Sequence, residues 1–115
     1  MTRSPLDFLR DIVAYGEKAI STVEANPPTA FNRFSDPGMV LMLCLEIIGE
    51  AVKSIPNDLK KAHPDLGWKQ AAGMRDILAH QYWRTDFETI LATVENDLPP
   101  FLEGINQILA EFEDR

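Results

Sequence analysis

Arg75, His80 and Tyr82 lie in one short stretch, Arg-Asp-Ile-Leu-Ala-His-Gln-Tyr, at positions 75–82. An arginine makes permanently charged, two-point contacts to a phosphate. A histidine can take up and release a proton near neutral pH. The two side chains could therefore hold a phosphate and move a proton beside it. Because the stretch has strongly helical composition, a helix must aim them.

On a helix with about 100° per residue, Arg75 falls inside an apolar arc. That arc contains Trp68, Ala71, Ala72, Leu78 and Tyr82. We expect the guanidinium of Arg75 to be buried in the chain or at an interface, where it must find acceptors. Asp76 and His80 are four residues apart and share the polar arc. Arg75 and His80 then point about 140° apart, so one undistorted helix cannot aim both at a single phosphate.

Acceptors for Arg75 are predicted on an earlier helix, where Glu46, Glu50 and Lys53 form one narrow polar stripe among apolar residues. A buried guanidinium without a partner would be costly. We favour Glu50 over Glu46, although the two lie within a single turn of each other. Taken alone, an arginine on an apolar arc is more often part of a structural ion pair than a catalyst.

The combined pattern resembles the Arg-x-x-x-x-His-x-Tyr motif of HepT-like toxins in the HEPN superfamily. The resemblance extends beyond the motif. Residues 45–51 with Lys53 look like the second helix of that family. Trp68 with residues 72–76 resembles the family's segment that leads into the motif. The run 86–99 is similar to the segment that follows. The resemblance therefore covers roughly residues 36–110 and is more specific than the short motif alone.

This resemblance implies a metal-independent endoribonuclease in which Arg75 and His80 are catalytic. Helical spacing adds two supporting residues, Glu50 as the partner of Arg75 and Asp76 as the neighbour of His80. Metal-independent cleavage moves a proton off the 2′-hydroxyl, stabilises a charged phosphorane and protonates the leaving oxygen. HEPN nucleases are two-fold dimers, as the resemblance implies. A homodimer would place two motifs around one cleft and remove the difficulty of aiming Arg75 and His80.

The resemblance also implies a protein partner, a minimal nucleotidyltransferase antitoxin of the MntA type. This enzyme silences the toxin by transferring AMP to the motif tyrosine, which here is Tyr82. Gln81 departs from the acidic residue that is frequent between the histidine and the tyrosine of relatives. That difference bears on recognition by the antitoxin and leaves the nuclease pair intact.

We therefore expect this chain to be the toxin of a type VII-like toxin–antitoxin pair, with RNA as its substrate. Two other functions fit the sequence. The chain could be a non-catalytic helical partner that binds or presents nucleotide for a separately encoded nucleotidyltransferase, with Arg75 serving only structure. It could also be a stand-alone dimeric interaction module.

Hydrophobic spacing predicts an all-α fold, an up-and-down bundle of about five helices in one domain spanning residues 1–115. The helices are expected at about 6–24, capped by Ser4, at 37–54, capped by Ser35 or Asp36, and at 68–82, 86–96 and 100–114, with a possible short helix at 58–63. Residues 26–35 should form a loop, with Phe31 and Phe34 packed beneath it.

Composition sets further limits. The formal net charge of −7 argues against nonspecific binding to nucleic acid, because neutralising phosphates supplies most of that affinity. The single cysteine, Cys44, can form neither a disulfide framework nor a zinc site and is expected to be buried. We expect a cytoplasmic protein with no metal, no cofactor and no membrane-spanning segment.

Overall fold

The computed structural model describes residues 2–113. Six α-helices follow one another, with bounds α1 Pro5–Glu24, α2 Asp36–Ser54, α3 Asn57–Ala62, α4 Trp68–His80, α5 Phe87–Asn96 and α6 Leu98–Glu113. Two short 3₁₀ turns lie at Pro28–Ala30 and Tyr82–Arg84. There is no strand within residues 2–113, so the all-α prediction is confirmed.

Local chemistry explains where α1 and α2 begin. The Ser4 hydroxyl accepts from the backbone N–H of Asp7, and the Asp7 carboxylate accepts from the backbone N–H of Ser4, which together form a capping box. The hydrogen bond from the backbone N–H of Ser4 to the Asp7 carboxylate holds the pKa of that carboxyl below its usual value. Ser35, one of the two predicted caps of α2, accepts from Gly38, and Asp36 is already helical.

Two helix boundaries differ from the prediction by two residues, and the other described boundaries agree with it to within one residue. α4 ends at His80 instead of near Tyr82, because Gln81 leaves the helical region with φ −138° and ψ 40°. α6 begins at Leu98 instead of Pro100. The prolines of α6 occupy its first turn, where a helix has no use for their missing N–H groups. The predicted end of that helix at Asp114 lies outside the described residues.

The core forms where α1 packs against α2, α5 and α6, and where α2 also packs against α4. Seven large side chains are fully enclosed there: Leu9, Ile12, Leu41, Val52, Val94, Ile105 and Ile108. Cys44 is buried, as predicted, and burial raises the pKa of its thiol. Within residues 2–113, no helix has the length and apolar character needed to cross a bilayer.

The loop before α2 corrects one expectation. Phe31 is buried, as predicted, but the Phe34 side chain is 71% exposed. The guanidinium of Arg33 lies over the Phe34 ring, 4.3 Å from its centroid. The turn is fixed by hydrogen bonds between Asn32 and Ser35 and by one from the Phe34 N–H to the side-chain oxygen of Asn32. In this turn the Phe34 side chain points outwards and not beneath the loop.

Candidate active site

Arg75 is positioned by a close approach of α2 and α4 at Gly49. A Cβ atom on Gly49 would lie 2.2 Å from the Cβ of Arg75 and 2.8 Å from the carbonyl oxygen of Ala71. Only glycine leaves room for the two helices at this distance. The aliphatic stem of Arg75 therefore packs on α2, and its side chain is 24% exposed.

The guanidinium of Arg75 faces two carboxylates. Its Nε lies 3.2 Å from Oε2 of Glu50, the acceptor that the sequence favoured over Glu46. Its Nη1 lies 3.5 Å from Oδ1 of Asp76. The Nε atom is buried and its N–H makes no hydrogen bond within residues 2–113, because the N–H is not aligned with the nearby Glu50 oxygen. Glu50 thus neutralises Arg75 without satisfying this donor.

Asp76 is engaged with α2 and not with His80. Its carboxylate accepts from the ammonium group of Lys53 and, more weakly, from Arg75. The hydrogen bond from Lys53 holds the pKa of the Asp76 carboxyl below its usual value, and Arg75 acts in the same direction. The pairs Glu50 with Arg75 and Lys53 with Asp76 join α2 to α4.

His80 is the last residue of α4 and is exposed. The His80 side chain makes no hydrogen bond or ion pair with any other residue in the described part of the chain. On α4 it lies on the solvent side, whereas Arg75 faces α2. A single copy of the chain therefore presents the two candidate catalytic side chains on different faces, as the helical spacing predicted.

Tyr82 lies beyond the end of α4, in the 3₁₀ turn, and is therefore not on the apolar arc with Arg75 where the sequence placed it. Its side chain is 52% exposed and that of Trp83 is 56% exposed. The two rings meet edge to face with centroids 5.4 Å apart. The phenol is consequently accessible from solvent, on the turn that directly follows His80.

The helical wheel did not identify Lys53 as the partner of Asp76. The sequence did contain a signal for this pairing. On α2 the acidic Glu50 precedes the basic Lys53, whereas on α4 the basic Arg75 precedes the acidic Asp76, so each charge can face an opposite one across the two helices. Glu50 and Asp76 face Arg75 and Lys53, so two acids balance two cations in this part of the surface. One copy of the chain does not form a strongly positive site.

Comparison with known proteins finds a family match over most of the chain. The profile of the family described as "Ribonuclease HepT-like" matches residues 18–108. No solved structure matches significantly.

Several curated proteins are similar along nearly their whole length. "Putative RNase MJ0125" of Methanocaldococcus jannaschii is 33% identical over 108 residues, which cover 94% of this chain and 93% of that protein. "Probable ribonuclease HepT" of Thermococcus cleftensis is 39% identical over 103 residues, which cover 86% and 90%. "Putative RNase TTE0752" of Caldanaerobacter subterraneus is 33% identical over 110 residues, which cover 93% and 96%.

Proposed function

Because the chain belongs to the HepT-like ribonuclease family, we propose that it is a metal-independent endoribonuclease and the toxin of a cytoplasmic toxin–antitoxin pair. Arg75 and His80 are its catalytic residues. The observation that carries this proposal is the placement of His80, which is exposed and without a polar partner among residues 2–113, five residues after an arginine anchored on α2.

The chemistry uses two histidines. One His80 takes the proton from the 2′-hydroxyl of the substrate, so that this oxygen attacks the adjacent phosphorus. A second His80 donates a proton to the 5′-oxygen as its bond to phosphorus breaks. Arg75 stabilises the negative charge on the phosphoryl oxygens. A two-fold homodimer supplies both histidines to one cleft.

Glu50 keeps Arg75 in position until substrate arrives. The Glu50 side chain is 60% exposed, and ion pairs this open to water contribute little net free energy. A phosphate offers more acceptor oxygens in the fork geometry that a guanidinium prefers. RNA can therefore displace Glu50, while Asp76 stays bound to Lys53 and supports α4 from α2.

Tyr82 is the proposed site of control by an MntA-type minimal nucleotidyltransferase antitoxin. Its exposed phenol can accept AMP, with the new bond joining the phenol oxygen to the α-phosphorus of ATP and pyrophosphate leaving. The added phosphate would lie near the cations that serve RNA and would compete for their charge. Steric bulk from the adenosine would add to this block.

One observation favours a second function, that of a non-catalytic partner for a separate nucleotidyltransferase. Arg75 is already paired with Glu50 and Asp76 of its own chain, as a purely structural arginine would be. In that case His80 would have no role in RNA cleavage. The two functions differ in whether the purified protein cleaves RNA by itself.

Cleavage of a mixed RNA pool by the purified protein in the presence of EDTA tests the proposal. We expect cleavage by the wild type and its loss in His80→Ala. The matched control is His63→Ala, since His63 is the other histidine and lies 3.8 Å from Glu111, away from the site. A wild-type protein that arrests growth but cleaves no RNA would refute the nuclease and favour the non-catalytic function.

A further inference from the structure

A groove of about 660 Å³ lies beside α4, on the side facing α5 and α6. Its floor is apolar and is formed by Leu45, Ile48, Met74, Leu98 and Phe101. At its lip the side chain of Ile77 is 55% exposed. Nothing in the described part of the chain covers this surface, which is large enough to bury an aromatic side chain.

The groove continues into an acidic section. A second cavity of about 510 Å³ shares Thr93 and Asp97 with the first and is also lined by Asp86 and Glu88. Among the described residues that line either cavity, none is a lysine, arginine or histidine. An occupant should therefore present an apolar group followed by a positive charge.

The chain itself carries a protrusion of this chemistry. Trp83 is 56% exposed and is followed by the exposed Arg84. The 3₁₀ turn that displays them is held by hydrogen bonds from the Arg84 N–H to Gln81 and from the Thr85 N–H to Tyr82. The Trp83 ring is further supported by the edge of Tyr82. A large apolar ring and a cation thus project from an ordered turn.

We propose that the groove receives Trp83 and Arg84 of a second copy of the chain, in a reciprocal exchange about a two-fold axis. The Trp83 ring packs on the apolar floor, and Arg84 lies toward Asp97 at the acidic end. This inference rests on the homodimer of the proposed function and specifies the surface that forms it. Each copy contributes one protrusion and one groove, so the contact closes on itself.

The other exposed apolar surface is less suited to self-association. Met39 and Leu43 of α2 are 50% and 55% exposed. They share a face of the helix with Glu46 and Glu50 at helical spacing. Two copies of this face meeting about a two-fold axis would bring acids against acids, which opposes association. In the proposed contact, by contrast, the acidic end of the groove meets the positively charged Arg84 of the second copy.

This arrangement brings the second chain to His80. Gly73, Ile77 and His80 are spaced by four and three residues and share the exposed face of α4. A Cβ atom on Gly73 would meet no other atom within 4 Å, so its position is open space in one copy of the chain. A second chain seated in the groove crosses this face and completes the surroundings of His80.

Sedimentation equilibrium of point variants tests the contact. Gly73→Leu introduces a side chain that the isolated copy accommodates but that fills the groove, and Trp83→Ala removes the proposed anchor. We expect each to raise the dimer dissociation constant by on the order of 30-fold or more, the effect of losing a central interface residue. The control Ala14→Leu adds the same side chain on an exposed position of α1 and should leave the constant unchanged.

A charge exchange adds a second measurement. Arg84→Glu and Asp97→Arg should each weaken the dimer, and the double variant should recover most of the loss, while circular dichroism shows that all three stay folded. A dimer that resists Gly73→Leu but is dissociated by Leu43→Glu would overturn the groove contact and leave the proposed homodimer standing. A wild type that remains monomeric at micromolar concentration would overturn both.

Discussion

At the scale of single residues, Arg75 and His80 differ in how firmly their own chain holds them. Arg75 packs on Gly49 and faces Glu50 and Asp76, whereas His80 is exposed at the end of α4. One residue is therefore fixed before substrate arrives, and the other is free to contact substrate or a second chain. Their substitutions should have different consequences for stability.

His80→Ala should abolish RNA cleavage with little change in the unfolding temperature, because an exposed histidine contributes little packing. Arg75→Ala should lower both cleavage and stability, because it removes the largely buried aliphatic stem that packs on Gly49. Thermal unfolding alongside a cleavage assay distinguishes the two. Equal loss of stability in both variants would contradict the different roles.

Asp76 predicts a pH dependence of stability. The hydrogen bond from Lys53 lowers its pKa in the folded chain relative to the ordinary value of 3.8. A lowered folded-state pKa contributes stability above pH 3.8, and this contribution disappears as the pH falls through the folded value. The Asp76→Asn variant should therefore unfold more easily than the wild type at pH 7, and as easily as the wild type once the pH is below the folded-state pKa of Asp76. A constant difference across this range in urea unfolding would exclude the linkage.

Tyr82 predicts a covalent change of known mass. Co-expression with the proposed MntA-type nucleotidyltransferase should add one or more AMP groups to the intact protein, and Tyr82→Phe should carry none while still cleaving RNA. Intact-mass spectrometry measures this directly, with Tyr15→Phe as the control for the other tyrosine. An adduct that survives in Tyr82→Phe would remove Tyr82 as the acceptor.

At the scale of helices, two glycines show how packing decides the effect of one substitution. Gly49→Ala places a methyl group 2.2 Å from the Cβ of Arg75 and should force α2 and α4 apart. Gly73→Ala meets nothing within 4 Å and should stabilise α4 by roughly 0.5–1 kcal/mol, the usual gain from replacing glycine in a helix. Urea unfolding at low protein concentration should show opposite signs. The same sign for both would contradict the close contact at Gly49.

The helices themselves were predictable because their signals are local. Ser4 and Ser35 cap the helices that they were predicted to cap. The spacing of apolar residues predicted the helices that form the core. The family motif identified Arg75, His80 and Tyr82 as candidates. The end of α4 at His80 was not predictable, since it depends on the conformation of Gln81, which has no strong preference of its own. The pairing of Asp76 with Lys53 depends on how α4 crosses α2, which helical spacing does not specify.

At the scale of the whole molecule, an acidic chain must act on an acidic polymer. The net charge of −7 and the carboxylates around Arg75 leave one copy with little attraction for RNA. The proposed homodimer would place two arginines and two histidines in one cleft. We therefore propose that activity depends on the dimer, and dilution below its dissociation constant should reduce cleavage per chain.

Mixing the wild type with His80→Ala tests the shared cleft most directly. A mixed dimer has one His80, whereas the proposed chemistry uses two. We predict that equal mixing after subunit exchange leaves about a quarter of the cleavage given by the same total amount of wild type, because about a quarter of the dimers then carry both histidines. Cleavage at about half of the wild-type level would contradict a cleft that needs the histidines of both copies, since each wild-type copy would then act independently.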